Sequence, residues 1–294
     1  MDFDPAQLRA LNAAVSEGTF EAAARLLRVT PSAVSQRLKA LEIAAGRVLL
    51  VRTKPIQVTP SGAVVLRMAR EIELLAADTA LQLGSEESPG PRLALSLAVN
   101  ADSLATWVLP ALVPLGDSIG LHVHREDEGR TSDLLREGVV MAAITTQARP
   151  VPGCRAARLG VMRYRPMSTP DFAARWFPDG VTVAALAEAP VVVFDRNDHL
   201  QHRYLRRRST KALDPPTHQI PSSEGFVTAV RLGLGWAMVP DLQSEYPERK
   251  GEVIDLDPRG AIDVVLHWQQ WKLRSSSLDR VADVILAAAR KQLR

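Results

Sequence analysis

Cysteine is nearly missing from this chain: Cys154 is the only one in 294 residues. One thiol excludes an intrachain disulfide and is too few for a cysteine-based metal site. No run of 18 apolar residues occurs, so no membrane-spanning helix is indicated. The start of the chain carries Asp2 and Asp4. It does not show the positive, then apolar, then small-residue order of a secretion signal. Nucleophile elbow, phosphate-binding loop and dinucleotide glycine fingerprint are all absent, which weighs against an enzyme. There is no internal repeat and no low-complexity tract. These gaps leave a cytoplasmic protein with no catalytic residues, no metal and no resident cofactor as the expectation.

What is present is unevenly distributed. The chain is 46% hydrophobic, enough to bury more than one core. Residues 1–60 hold eight Lys/Arg against five acids, an excess of +3 that equals the formal net charge of the whole chain. A basic front on a neutral body is the electrostatic footprint of a nucleic-acid module. Within that front, residues 19–42 read as two short helices with a tight break. Thr19 is placed to cap the first, whose Ala22, Ala23, Leu26 and Leu27 form an apolar stripe. Thr30-Pro31 restarts the helix, because a threonine cap followed by proline wastes no backbone donor. Val34, Leu38 and Leu41 then share one face. Thr30, Ser32, Ser35, Gln36, Arg37 and Lys39 offer hydroxyls, an amide and cations suited to base edges and phosphates.

Val48–Arg52 and Ile56–Val58 read as a small hairpin with Arg52 and Lys54 near its tip, a wing for backbone phosphates. Thr59-Pro60 repeats the helix start, and a helical run extends to about Leu83. Val65, Met68, Ile72 and Leu75 make a seam of the width used for helix pairing. We expect it to join two chains, because a helix between two domains has little else to cover it. Gly84–Pro91 is small, polar and Pro/Gly-rich, a domain boundary.

From Arg92 short apolar runs alternate with amphipathic helices, the signature of α/β layers. Strands are expected at Leu93–Val99, Leu121–Glu126, Val140–Thr145, Pro190–Phe194, His218–Pro221, Trp236–Val239 and Ile262–Trp268. Helices are expected at Asp102–Leu115, Ser132–Glu137, Leu200–Arg208, Gly225–Leu232 and Leu278–Leu293. Two such sets, with the last helix returning, point to two lobes around a cleft. Ligands of open α/β sheets sit at the carboxyl ends of strands. Asn100 and Ser103 follow the first strand at a helix start, where free N–H groups favour a ligand carboxylate. Glu126, Asp127 and Glu128 end the second strand, Thr131 begins its helix, Thr145 ends the third, Asp195 follows the fourth and Glu224 starts a helix. An anion site facing clustered carboxylates describes a zwitterion with an extra positive charge, lysine or arginine. Each residue taken singly also fits an ordinary cap or a solvated acid.

Rival sites are weaker. His122 with His124, and His199 with His202, have no further ligands for a metal. Arg206–Arg208 reads as a solvated helix end or a domain contact, Cys154 as an incidental loop residue, and Trp236 and Trp268 as core.

Phe20-Glu21-Ala22-Ala23-Ala24, Thr30–Gln36, Leu41-Glu42, the Arg52 wing and Thr59-Pro60-Ser61-Gly62 resemble the LysR-type transcriptional regulators. Val99–Trp107, Glu126-Asp127-Glu128, Arg130-Thr131, Phe194-Asp195 and Ser222–Phe226 are similar to the ArgP/LysG subgroup, which senses basic amino acids and controls their export. The resemblance implies an all-α winged helix-turn-helix domain (1–59), a linker and dimerisation helix (60–84), a hinge (85–91) and a two-lobed, periplasmic-binding-protein-like α/β effector domain (92–294). Lobe one would span about 92–160 and 269–294, lobe two about 161–268. It further implies double-stranded DNA with dyad symmetry as partner, a homodimer through the linker helix, a dimer of dimers, contact with RNA polymerase, and L-lysine or L-arginine as effector. The rival class is a solute-binding protein or enzyme with an interaction-only N-terminal part, and a LysR-type regulator of another small molecule is the nearer alternative.

Overall fold

The computed structural model describes residues 3–83, 94–126 and 131–294. The expected hinge at 85–91 and the expected ligand residue Asp127 lie outside them.

The front folds as α1 (Pro5–Glu17), α2 (Phe20–Leu27) and α3 (Pro31–Ala45), then β1 (Leu50–Val51) and β2 (Gln57–Val58), then α4 (Pro60–Gln82). Side-chain caps set the starts. Thr19, Thr30 and Thr59 each accept an N–H three residues on, from Ala22, Ala33 and Gly62 at 3.2, 3.2 and 3.0 Å. The break between α2 and α3 turns on Arg28, whose φ of 54° lies in the left-handed region and lets its N–H close the helix on Ala24 and Arg25. Leu8, Leu11, Val34, Leu38, Leu41, Leu49 and Leu66 pack into one core. Glu42 Oε1 accepts from Leu49 N at 2.9 Å and so ties the end of α3 to the hairpin.

The second part contains β3 (Ala94–Val99), α5 (Ala101–Ser103), a π-helical turn at Leu104–Val108, α6 (Leu109–Leu112), a 3₁₀ turn at Val113–Leu115, β4 (Gly120–Arg125), α7 (Thr131–Arg136), β5 (Ala142–Thr145) and β6 (Cys154–Ser168). It continues with α8 (Pro170–Trp176), α9 (Val183–Glu188), β7 (Val191–Val193), α10 (Leu200–Arg208), β8 (Thr217–Gln219), α11 (Ser223–Arg231), β9 (Ala237–Pro240), α12 (Asp241–Arg249), β10 (Ile254–Asp255), β11 (Ile262–Trp271) and α13 (Ser276–Gln292). One sheet runs β10-β6-β11-β5-β3-β4, with β9 also on β6, and β7 pairs β8 separately. β3 is parallel to both β4 and β5, whereas β6 and β11 are antiparallel and run the length of the domain. Their pairing slips at Leu266/His267, opposite Gly160, which has φ +153°. The β3–β5 end forms one lobe and the β7–β9 end the other, with these two long strands passing between them.

Several expectations need correction. Cys154 is not in a loop: it opens β6 and is buried. Residues 154–168 escaped notice because Arg155, Arg158, Arg163 and Arg165 interrupt the apolar pattern. Three of those arginines face acids instead, Arg155 pairing with Asp279. Arg163 forks onto Asp263 across the ladder at 2.7 and 2.8 Å, and Arg165 Nε reaches Asp241 at 2.7 Å. The single long helix expected at Asp102–Leu115 is broken into α, π and 3₁₀ turns. The linker helix, expected to have little to cover it, is covered within its own chain. Val65, Leu66 and Ala69 join the front core, while Leu74 enters the core of the second part. Of the expected seam, Val65 is therefore internal, and Ile72 and Leu75 remain exposed at 47% and 41%. Trp236 and Trp268 are core residues.

Candidate functional site

α3 leaves one face of the front open to solvent. Pro31, Ser32, Gln36 and Lys39 are exposed, Ser35 and Arg37 half-buried, and the apolar side of the helix is buried beneath them. Thr30 Oγ1 lies 2.9 Å from Ser32 Oγ, so two of the expected polar contacts are already engaged with each other at the cap. On the wing, the Arg52 guanidinium sits 5.9 Å over the Phe20 ring, and Lys54 is free in solvent at the turn. Helix and wing thus both hold solvent-accessible cations, and both pack on the same buried core. That arrangement suits a groove with phosphates on either side.

The cleft is a cavity of about 570 Å³ between the two lobes, within the range of small-molecule sites. Asn100, Asp102 and Glu126 line it from the β3–β4 end, Tyr164 from β6, and Phe194, Asp195, Asp198, Arg203 and Phe226 from the other lobe. Of the expected residues it gathers Asn100, Glu126 and Asp195. Four depart from expectation. Ser103 is wholly buried behind the wall, and Thr131 is likewise buried and off the lining. Thr145 Oγ1 is engaged by Ser132 Oγ at 3.2 Å and by Gln147 N at 3.2 Å, and its neighbour Thr146 lines the cavity instead. Glu224 is exposed and off the lining, where Phe226, on the same helix, supplies the wall. For Ser103 and Thr145 the cavity takes the adjacent side chain, Asp102 and Thr146; for Glu224 it takes one two residues on, and for Thr131 the described neighbour, Ser132, is off the lining as well.

The residue the sequence reading passed over is Asp102. Its carboxylate accepts from Tyr164 Oη at 2.8 Å and from Ser223 Oγ at 3.1 Å, so it clasps α11 of the opposite lobe. Burial pushes its pKa up, the two hydroxyl donors partly restore it, and Asp198 across the cleft pushes it up again. Asp198 is also raised by burial; its two oxygens already accept the N–H groups of Phe194 and Leu200 at 2.9 and 3.1 Å. Asp198 therefore also builds the loop, and with Asp102, Glu126 and Asp195 it places four carboxyl groups on the space. Asn100 lines the cavity and is buried with its amide oxygen Oδ1 unpaired among the described residues. Arg125 stands at the mouth, 5.6 Å over the Phe194 ring, with Nη1 3.4 Å from Pro221 O.

A basic helix-and-wing head on a two-lobed receptor with an acidic cleft is the construction of a regulator that carries sensor and DNA reader in one chain. The family comparisons agree. Residues 5–63 match the bacterial regulatory helix-turn-helix protein, lysR family, and residues 88–290 match the LysR substrate binding domain. The chain belongs to the LysR family of transcriptional regulators. It is 42% identical over 294 residues to the lysine export transcriptional regulatory protein LysG of Corynebacterium efficiens, covering 99% of each. The crystal structure of ArgP from Mycobacterium tuberculosis superposes with a TM-score of 0.86 at 43% identity, covering 100% of this chain and 99% of that one. Full-length LysG from Corynebacterium glutamicum with its effector arginine bound superposes at 0.77 and 39% identity, covering 99% of both.

Proposed function

We propose that this regulator takes a basic amino acid, arginine or lysine, into the cleft between its lobes and thereby changes how its head sits on an operator. The observation that carries the reading is the charge of the cleft: Asp102, Glu126, Asp195 and Asp198 among the lining residues against Arg203. Such a space disfavours neutral and anionic amino acids and welcomes a side-chain cation. The bound arginine in the Corynebacterium glutamicum relative supports the same ligand class. Asn100 and Thr146 are the polar groups we assign to the ligand's backbone end, and the cleft binds without catalysing a reaction. We further propose an exporter gene as target, in line with the name of the Corynebacterium efficiens relative. The exposed ridge of Val64, Ile72 and Leu75 on α4 supports pairing with a second copy on a dyad operator, and we propose a dimer of dimers as the assembly.

A thermal-shift screen of the twenty amino acids tests the ligand. Arginine and lysine are expected to raise the melting temperature, since a ligand selective for the folded state stabilises it by mass action. The sign of the pH dependence follows from Asp102 and Asp198, both raised by burial. Below their elevated pKa values they are protonated and neutral, so affinity for the cation falls as pH drops through that window, and binding there releases protons. A shift that is largest for an acidic or neutral amino acid, or that grows as pH falls, removes the assignment.

Arg37→Ala tests the head. It is expected to weaken duplex binding, at a cost of ~1–3 kcal/mol if it reads a base edge. If it holds a phosphate, the loss is uniform across sequences and the salt slope becomes shallower. Arginine affinity stays unchanged in either case. Equal losses of both affinities would contradict the separation of reader and sensor.

A further inference from the structure

The linker helix has one buried cation, and that cation grips both halves of the molecule. Arg70 is 2% exposed. Its Nε donates to Asn12 Oδ1 at 2.8 Å and its Nη2 to Ser16 Oγ at 3.0 Å, both on α1 of the head. Its Nη1 donates to Gly138 O at 2.8 Å and also to Val139 O, in the effector lobe. A guanidinium is planar, with donors in a fixed fork, so contacts made by one such group share a single plane and orientation. Asn12 is in turn held from its amide side by Glu73 of α4. The lobe approaches closely: Gly138 has φ +72°, and a Cβ there would lie 3.1 Å from Ala63 O and 3.3 Å from Arg67 Cβ. Burial lowers the Arg70 pKa to about 10, with Glu73 opposing, so the group stays charged at neutral pH.

The other anchors of α4 differ in kind. Arg67 Nη2 donates to Gly153 O at 2.8 Å and its guanidinium lies 5.1 Å over Trp271. Asp78 accepts from Ser277 N at 3.3 Å at the start of α13. Both fasten α4 to the effector domain. Among the described residues Arg70 is the α4 side chain with hydrogen bonds to α1 and to the effector lobe at once. The carbonyls it holds lead directly into β5, and Thr146 at the far end of β5 lines the cleft. A four-residue strand is a stiff rod of ~13 Å.

We propose that Arg70 is the positioning residue that sets the head on the effector lobe, carrying a cleft signal from Thr146 through β5 and Gly138-Val139 to α1. The inference rests on the regulatory reading above. A ligand shifts an equilibrium only through different affinity for two arrangements, and a shared rigid fork makes the head's arrangement depend on the lobe's.

The test uses the full-length protein, arginine as ligand, and a duplex that the unmodified protein selects from a random pool. Calorimetry gives arginine affinity; the arginine-induced change in duplex affinity and in end-to-end energy transfer along the duplex gives the response. Arg70→Lys removes the fork but keeps the charge, and the double variant Asn12→Ala/Ser16→Ala removes only the head's acceptors. Both are expected to bind arginine within about twofold of the unmodified protein while the response shrinks by about fivefold or more. Arg67→Met, on the same helix and the same domain without contacting α1, is expected to keep the response. A full response in both Arg70→Lys and the double variant overturns the inference, and so does an equal loss in Arg67→Met. Absence of arginine binding in the unmodified protein instead fails the cleft reading itself, and the inference falls with it.

Discussion

Gly62→Ala is expected to melt the DNA-reading head and abolish duplex binding, while arginine affinity stays within about threefold. The reason is a backbone contact. α4 begins directly on the chain leading into the wing: Thr59 N donates to Leu49 O at 2.9 Å, and Thr59 Oγ1 donates to Val48 O at 2.7 Å. A Cβ on Gly62 would sit 1.9 Å from that same Leu49 oxygen and 2.8 Å from its carbon. Ordinary C···O approach is ~3.3 Å or more, so helix and strand must separate by over an ångström. Val65, Leu66 and Ala69 would leave the head core with the helix, and Thr59 would lose its acceptors. Overpacking costs ~1–3 kcal/mol where side chains can yield and more where backbone meets backbone. Gly116→Ala is the matched control, since its added Cβ would meet only Val113 O at an ordinary 3.5 Å. Circular dichroism melts and fluorescence anisotropy on duplex DNA read the outcome. A Gly62→Ala protein that melts and binds DNA like the control would mean that α4 does not lie on Leu49.

That glycine also marks what sequence alone can give. The Thr59-Pro60-Ser61-Gly62 run was recognisable as a helix start, and the caps at Thr19, Thr30 and Thr59 are where the residues put them. Local chemistry was enough there, because a cap is settled within three residues. The same signal at Thr169-Pro170 starts α8, which went unread because its apolar face is short. β6 was missed for a tertiary reason: arginines in a strand make sense only once Asp263 and Asp241 stand opposite. The cleft was legible as positions and less so as side chains. Strand ends could be located from the α/β alternation, but which of two neighbours faces the cavity depends on twist and on the π turn after Ser103. So the sequence pattern points to Thr145 and Ser103, where Thr146 and Asp102 line the space. Asp102 looked like an ordinary acid in a first helical turn. Its partners Tyr164 and Ser223 lie far along the sequence, and nothing local announces them.

Asp102→Asn is expected to weaken arginine binding by ~10- to 100-fold, the ~1.5–3 kcal/mol of a hydrogen bond to a charged group. The substitution keeps shape and retains an oxygen for Tyr164 or Ser223, so the lobe-to-lobe clasp survives in part and the protein folds. It removes the negative charge that this cleft holds at the expense of burying it. In the free protein that charge is a liability, as the raised pKa states: the ionised carboxylate is disfavoured by burial and by Asp198. The variant is therefore expected to be as stable as the parent without ligand, or slightly more so, with the gain confined to pH values above the ordinary carboxylate pKa, where the parent's group would ionise if unfolded. A cationic ligand reverses the balance, because it adds counter-charge to a cleft where Arg203 alone is set against four carboxyl groups in the lining. Affinity and apparent stability should thus move in opposite directions, which loss of a purely structural clasp does not produce. Calorimetry with arginine and thermal melts without it decide the matter. Unchanged affinity, or a large loss of ligand-free stability, would reassign Asp102 from ligand recognition to scaffolding and leave Glu126 and Asp195 as the acids that meet the cation.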